Sequence, residues 1–422
     1  MNTVIGIIIG LLVLMLLVVA HEAGHFIAAR RNGVKVNEFG IGFPPKMLTW
    51  VKNQEYLKWK KVPKNARRKG SKPKKWVRLK RKDWEKPQKN LIFSLNWLPI
   101  GGFCSMDGES DADTKKGTFG AASFWKKTKI LFAGVAMNWL VAFIILTVLA
   151  FVGMPHFMDE QFTIESDSEI SAALVYADEI VEGSPADQAE MKAGDRIVDG
   201  IDSETNVATT INSTSDLNKF NAAHAGKKVA YHILRDNQVL SVEPTLNGAD
   251  AEYLLGITMR QEGQTLYRST WSAPIVGAVT TIQLTGETFR GLWNLVWDLG
   301  SGVVSQFSPD GDVREQGREA IGNAGDSVSG PVGIVGVLFP AITETGPINL
   351  AFLAAIISIS LACMNVLPIP ALDGGRWFLI ALYRIRGKKL TKETEEKIVT
   401  RAFIVLLILI ALITVLDVVK LF

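Results

Sequence analysis

Three observations predict the fold class. Four apolar stretches are each long enough to cross a bilayer. The connection after the first is basic and carries β-branched and aromatic runs broken by Gly and Pro. The connection after the second is acidic and patterned like a folded domain. Together they predict a polytopic α-helical membrane protein with four transmembrane helices, a membrane-associated β-hairpin or sheet, and an α+β domain outside the cytoplasm. The chain has 422 residues, 48% of them hydrophobic and 21% charged, as expected for apolar spans interleaved with polar segments. Its two cysteines, Cys104 and Cys363, lie far apart in unlike segments, which argues against a disulfide framework and excludes a cysteine-based zinc cluster.

The first span, residues 1–30, is apolar from Val4 to Ala29 apart from His21, Glu22 and His25. It lacks a basic leading region and carries its polar pattern at the far end, so it reads as a retained span rather than a cleaved signal peptide. Residues 31–129 form the first polar loop. Residues 130–153 are the second span, with a lone Asn138. Residues 347–375 hold the third, apolar from Ile348 to Leu367. Residues 376–401 are a short polar segment, and 402–422 are the fourth span.

Charge orients these spans. Residues 30–129 hold 26 Lys and Arg against 8 Asp and Glu, whereas residues 154–347 hold 11 against 28. Residues 376–401 hold 8 against 3. Arg30, Arg31, Lys126, Lys127, Lys129, Arg384 and Arg386 therefore flank the spans on one side, the cytoplasmic one. Both termini and the acidic region are expected outside.

The stretch VVAHEAGHF, residues 18–26, places an ionisable cluster inside a span, where such residues are costly and usually functional. At 1.5 Å per residue, His21 lies about 27 Å along the helix from Thr3, in the cytoplasmic third of the bilayer. His21 and His25 are four apart and share a helix face. The H-E-x-x-H pattern supplies two zinc ligands and a glutamate, Glu22, placed to take a proton from water. A catalytic zinc site wants a third protein ligand. The remaining histidines, His156, His224 and His232, fall in the outside region. A carboxylate at matching depth is needed, and NVLPIPALDGG, residues 365–375, offers Asp373 after two helix-breaking prolines. The Asp-Gly pair also marks a turn, and turn and ligand are compatible.

HEAGH in the first span, NVLPIPALDGG after a later one, and SGPVGI at 329–334 together resemble the bacterial site-2 protease family of intramembrane zinc metalloproteases, in the single-PDZ form typified by regulators of sigma factors. FGIGFPPK (39–46), LPIGGFCSMDGE (98–109) and FAGVAMNW (132–139) add to the likeness, which runs from the first span to the last in the family's order. There are two departures: Val135 stands where many members carry proline, and the basic insertion KNARRKGSKPKKWVRLKRKD (64–83) lengthens the first loop.

The resemblance implies that His21, His25 and Asp373 bind Zn2+ and that Glu22 is the general base, returning its proton to the leaving amine. It assigns Asn138 and Asn365 to substrate handling, although interhelical hydrogen bonding serves them equally well. The hairpin formed by VKVNEFGIGF and NLIFSLNWLPIGGF is expected to receive an extended substrate as an added strand. Residues 170–262 resemble the family's PDZ domain, through YADEIVEGSPADQAEMKAGDRIVDGIDSE. In 263–346, an amphipathic helix (271–299) with Trp271, Trp293 and Trp297 suits a membrane interface, and 308–327 reads as a polar loop. The basic insert suits anionic lipid of the inner leaflet, with no sign of nucleic-acid recognition. The expected protein is an inner-membrane protease with its site toward the cytoplasm, cutting single-pass membrane proteins such as anti-sigma factors or remnant signal peptides. The alternative is a non-catalytic scaffold whose PDZ domain binds envelope proteins. Glu22 discriminates between them, since a scaffold needs no base beside its ligands.

Overall fold

Thirty residues without a proline make the first helix, α1 (Asn2–Arg31). It stops where Asn32 N–H still reaches the Ala28 carbonyl and Gly33 turns left-handed at φ +82°. A computed structural model of the protein describes residues 2–53, 55–56, 58, 73–84, 90–158, 160–327 and 330–420. Residues 64–72 of the basic insert and Ser329 of SGPVGI lie outside them. The chain folds as two units, Met1–Leu146 with Ala278–Phe422, and Thr147–Gly277.

In the first unit, α1 is followed by strands β1 (Val36–Lys52), β2 (Trp76–Arg78) and β3 (Ile92–Met106). The strands expected from the two apolar runs are present and longer than expected. β3 curls around β1, so that Gly40 faces both Phe103 and Ser94, and the far half of β1 returns along Asn96 to Ile92. β2 adds to the β1 edge, opposite Trp50 to Lys52. Gly42 makes the bend possible: its φ is +75°, and a Cβ there would sit 2.5 Å from the Leu98 carbonyl oxygen.

Four helices are long and apolar enough to cross a membrane: α1, α2 (Phe124–Val152), α8 (Pro347–Val366) and α10 (Lys392–Lys420). They match the four expected spans, although α2 and α10 begin well before the apolar windows. The α10 extension has a local cause: Thr391 Oγ1 accepts from Thr394 N–H, and Glu393 and Glu395 sit in the first turn, where the helix dipole favours them. α2 runs unbroken through Val135, which is buried. α1 and α2 meet backbone to backbone, since a Cβ on Gly24 would fall 2.2 Å from the Ala133 carbonyl oxygen. Ser358 of α8 donates to the Asn138 carbonyl of α2 at 2.8 Å.

Between these spans the structure departs from expectation. The amphipathic helix is present as α5 (Ala273–Ser305), running past the expected end. The polar loop foreseen over 308–327 is largely a helix, α6 (Gly311–Ser327). Its glycines read as loop, but one of them, Gly317, serves packing. A Cβ on Gly302 would lie 2.8 Å from the Gly317 carbonyl oxygen and 2.6 Å from Ile321, so α5 and α6 approach at bare backbone. A short apolar helix, α7 (Pro331–Glu344), is too short to span and packs Phe339 and Pro340 onto Gly10 and Gly6 of α1. Asp417 of α10 accepts from Gly330 N–H at 3.1 Å and Gly333 N–H at 2.8 Å at the start of α7. After α8, the chain breaks at Pro368 and Pro370 and re-enters a helix at Asp373, α9 (Asp373–Ile385).

The second unit contains a sheet with the order β10-β9-β7-β6-β11 and β8 on β7. Its members are β6 (Leu174–Ile180), β7 (Arg196–Asp202), β8 (Ala208–Thr210), β9 (Val229–Arg235), β10 (Gln238–Val242) and β11 (Ile257–Glu262). Helices α3 (Pro185–Gln188) and α4 (Thr214–Ala223) cover a core of Val175, Ile197, Leu217, Phe220, Tyr231 and Ile233. A smaller sheet, β4 (Met154–Pro155), β12 (Leu266–Ser269) and β5 (Ser168–Ser171), stands at the unit's chain ends. Among the described residues, both cysteines are free thiols.

Candidate metal centre

α1 presents His21 and His25 on one face, one turn apart, and both are buried. The third member comes from the far end of the chain. Gly374 and Gly375 let the first turn of α9 press against the chain it has just left: Cβ atoms there would fall 2.1 Å from the Val366 carbonyl oxygen and 1.9 Å from that of Ile369. That close fold-back carries Asp373, at the start of α9, to the histidines. Its position at a helix N-terminus also suits a carboxylate.

The three donors converge. His21 Nε2 lies 3.0 Å and His25 Nε2 3.1 Å from Asp373 Oδ2, and the two Nε2 atoms are 3.1 Å apart. Tetrahedral zinc with bonds of about 2.0–2.1 Å to nitrogen and oxygen sets its ligand atoms about 3.3 Å apart, so the donor set fits with small adjustments. Gly134 of α2 keeps the pocket open: a Cβ there would lie 2.5 Å from His25 Nε2 and 2.6 Å from His21 Nε2. The stretch FAGVAMNW contained this glycine, but nothing in the sequence said that it faces the histidines. His25 Nδ1 lies 2.8 Å from the Ile130 carbonyl oxygen, and donating to it leaves Nε2 free to bind a metal.

Glu22 is half-buried and within electrostatic reach of His21, His25 and Asp373. Beside it runs β3, where Gly101 and Gly102 let the strand lie against Val18, Val19 and the Glu22 side chain. Asn138 is fully buried, with its amide nitrogen 3.3 Å from His21 Nδ1. Asn365 is partly buried at the end of α8, where its amide donates to the Leu361 carbonyl of its own helix at 2.9 Å. Thus the structure brings His21, Glu22, His25, Asp373 and Asn138 together, while Asn365 bonds locally.

A cavity of about 730 Å³ opens beside Asp373, and its lining includes Arg376, Asp107, Glu109 and Glu395. Glu395 is 4% exposed and accepts from Ser110 Oγ at 2.9 Å and Asp111 N–H at 2.8 Å, with Arg376 at 3.4 Å. The network links the loop after β3 to α9 and α10, and no motif signalled it.

The sequence model of Peptidase family M50 matches residues 9–63 and 65–410. The chain belongs to that family. Relatives similar over the full length agree. The zinc metalloprotease RasP of Bacillus licheniformis is 28% identical, with 100% of both chains covered. The regulator of sigma-W protease RasP of Bacillus subtilis is 27% identical, with 100% of this chain and 99% of its own covered. The zinc metalloprotease RasP of Shouchella clausii is 26% identical, with 100% of both covered. This M50 peptidase is a zinc metalloendopeptidase of the site-2 protease type and an integral membrane protein. Zinc is its cofactor. The scaffold alternative falls with that finding, and no described group of metal-binding residues other than His21, His25 and Asp373 gathers three such donors.

Proposed function

We propose that His21, His25 and Asp373 hold the zinc, that Glu22 is the general base, and that the peptidase cuts single-pass membrane proteins near the cytoplasmic end of their spans. The observation that carries this reading is the convergence of three donor atoms within 4.8 Å in a pocket kept open by Gly134. Bound there, zinc supplies Lewis acidity, lowering the pKa of water and polarising the scissile carbonyl. Glu22 takes a proton from the attacking water and delivers it to the leaving amine. A substrate helix hides its carbonyls in its own hydrogen bonds, so the cut segment must be extended. The β3 backbone at Gly101 and Gly102 runs beside Glu22 and offers a strand partner for the opened chain. Trp97, Leu98, Ile100 and Phe43 are exposed near its turn, which suits a hairpin dipping into lipid.

The basic first loop supports a cytoplasmic location for the site and an extracytoplasmic one for the unit Thr147–Gly277. That unit's sheet has β11 as an edge strand, and α4 is tied to it by Thr214 N–H donating to Gln261 Oε1 at 3.1 Å, which supports the PDZ reading. The name of the Bacillus subtilis relative, a regulator of sigma-W protease, favours an anti-sigma factor as substrate.

The deciding experiment is Glu22→Gln. The side chain keeps its size but loses the base. Zinc is expected to remain near one per chain while cleavage of a single-pass substrate falls by about a hundredfold or more. Cleavage at the native rate by the purified variant would overturn the assignment.

A further inference from the structure

We infer that Asn138 is a positioning residue for the metal centre: its side-chain amide sets which nitrogen of His21 carries the proton, and so turns the His21 Nε2 lone pair toward the zinc. The inference rests on the proposed role of His21 as a ligand.

The two histidines are held by different groups. His25 Nδ1 faces a backbone carbonyl, that of Ile130, at 2.8 Å. A carbonyl can only accept, so His25 keeps its proton on Nδ1 and its lone pair on Nε2. His21 Nδ1 instead faces the side chain of Asn138, with the amide nitrogen at 3.3 Å. Asn138 is 0% exposed, and its Oδ1 is buried without a hydrogen-bond partner. Its backbone is pinned from the other side, since the buried Ser358 hydroxyl donates to the Asn138 carbonyl. The buried amide therefore stands opposite His21 and can present either its nitrogen or its oxygen to the ring.

Either end suits one form of His21. With the amide nitrogen toward the ring, Nδ2–H donates to a bare Nδ1, the ring proton sits on Nε2, and Nε2 donates to Asp373 Oδ2 at 3.0 Å. A protonated Nε2 cannot ligate. A half-turn of the amide exchanges oxygen for nitrogen with almost no change in shape. Oδ1 then accepts from Nδ1–H, and the Nε2 lone pair points at the zinc position between His25 and Asp373. Asn138 can thus accept from the tautomer of His21 that leaves Nε2 bare and donate to the tautomer that does not. An apolar side chain of the same volume can do neither.

The test is zinc release from the full-length protein, purified in detergent, to a chromogenic chelator. Asn138→Leu is expected to release zinc about 10–100-fold faster than the native chain. Asn138→Asp keeps an acceptor opposite Nδ1 and is expected to release it no faster. Ser358→Ala loosens the helix contact but spares the amide, so it lowers the melting temperature without speeding release. Native release by Asn138→Leu overturns the inference, as does Asn138→Asp releasing zinc as fast as Asn138→Leu. Should the leucine variant fail to fold, the aspartate variant decides alone: zinc release faster than native overturns the inference, and native-like release supports it. His21→Ala separates the two levels. If it retains zinc, the ligand reading fails. If it sheds zinc while Asn138→Leu keeps it, only the positioning role fails.

Discussion

Gly134 shows how a residue with no side chain can decide a metal site. Its missing Cβ is the space beside both Nε2 atoms. Gly134→Ala would push a methyl group to 2.5–2.6 Å from those nitrogens, so the rings or the helices that carry them must shift. Overpacking of this kind costs about 1–3 kcal/mol. The expected outcome is a chain that inserts and folds with a lower melting temperature and loses its zinc on dialysis against a mild chelator. Gly291→Ala in α5 is the control: nothing lies within 4 Å of its Cβ, so stability should hold or rise slightly. Zinc retained at native occupancy by Gly134→Ala would mean that the helices part easily. HEAGH was readable as a candidate ligand pair because a helix fixes the geometry of positions four apart. Asp373 was readable as a candidate only. It meets His21 across 352 residues of chain, and no local periodicity reports such a distance.

Asp417 illustrates how an element end can be completed by a distant helix. α7 begins with Pro331, and its first free N–H groups have no partners of their own. Gly330 and Gly333 give them to the Asp417 carboxylate, and both glycines sit too close to it for a side chain: a Cβ would lie 2.7 Å and 3.2 Å from the carboxylate oxygens. Asp417→Ala strands these donors, at about 1–3 kcal/mol for each buried group. The expected result is a clear fall in melting temperature, with Asn intermediate because it keeps one acceptor. Zinc content should stay native, since the contact is remote from the donors. An unchanged melting temperature in the alanine variant would show that water satisfies the donors. Neither α7 nor α6 was foreseen. α7 is shorter than a span, and α6 is rich in Gly and Asp, which argue for loop until the facing helix is known to need Gly302 and Gly317 bare.

The proposed roles and placement of the two units can be tested together. A Glu204→Cys probe in the unit Thr147–Gly277 should react with an impermeant thiol reagent on intact cells, while Lys72→Cys should not, in a chain whose Cys104 and Cys363 have been replaced. Residues 174–262 are bracketed by the smaller sheet, in which Ser171 pairs directly with Leu266 across β5 and β12. Replacing them with a short linker should leave zinc in place and allow uncut substrates with bulky external domains to be cleaved. Loss of cleavage for short substrates, with zinc still bound, would make the unit a required receptor instead of a filter. Reversed labelling would overturn the orientation.

The sequence by itself determined the four spans, the hairpin strands, the two histidines with their glutamate, and the charge asymmetry of the loops. Each is a property of contiguous residues, where length, period or local charge carries the physics. The tertiary structure alone decided the rest. It brought Asp373 to the histidines, turned Asn138 toward His21, left Asn365 bonded to its own helix, and used glycines as contact surfaces between helices and around the three donors. Those outcomes depend on which backbone approaches which, and a missing Cβ acquires its meaning only from the neighbour that fills the space.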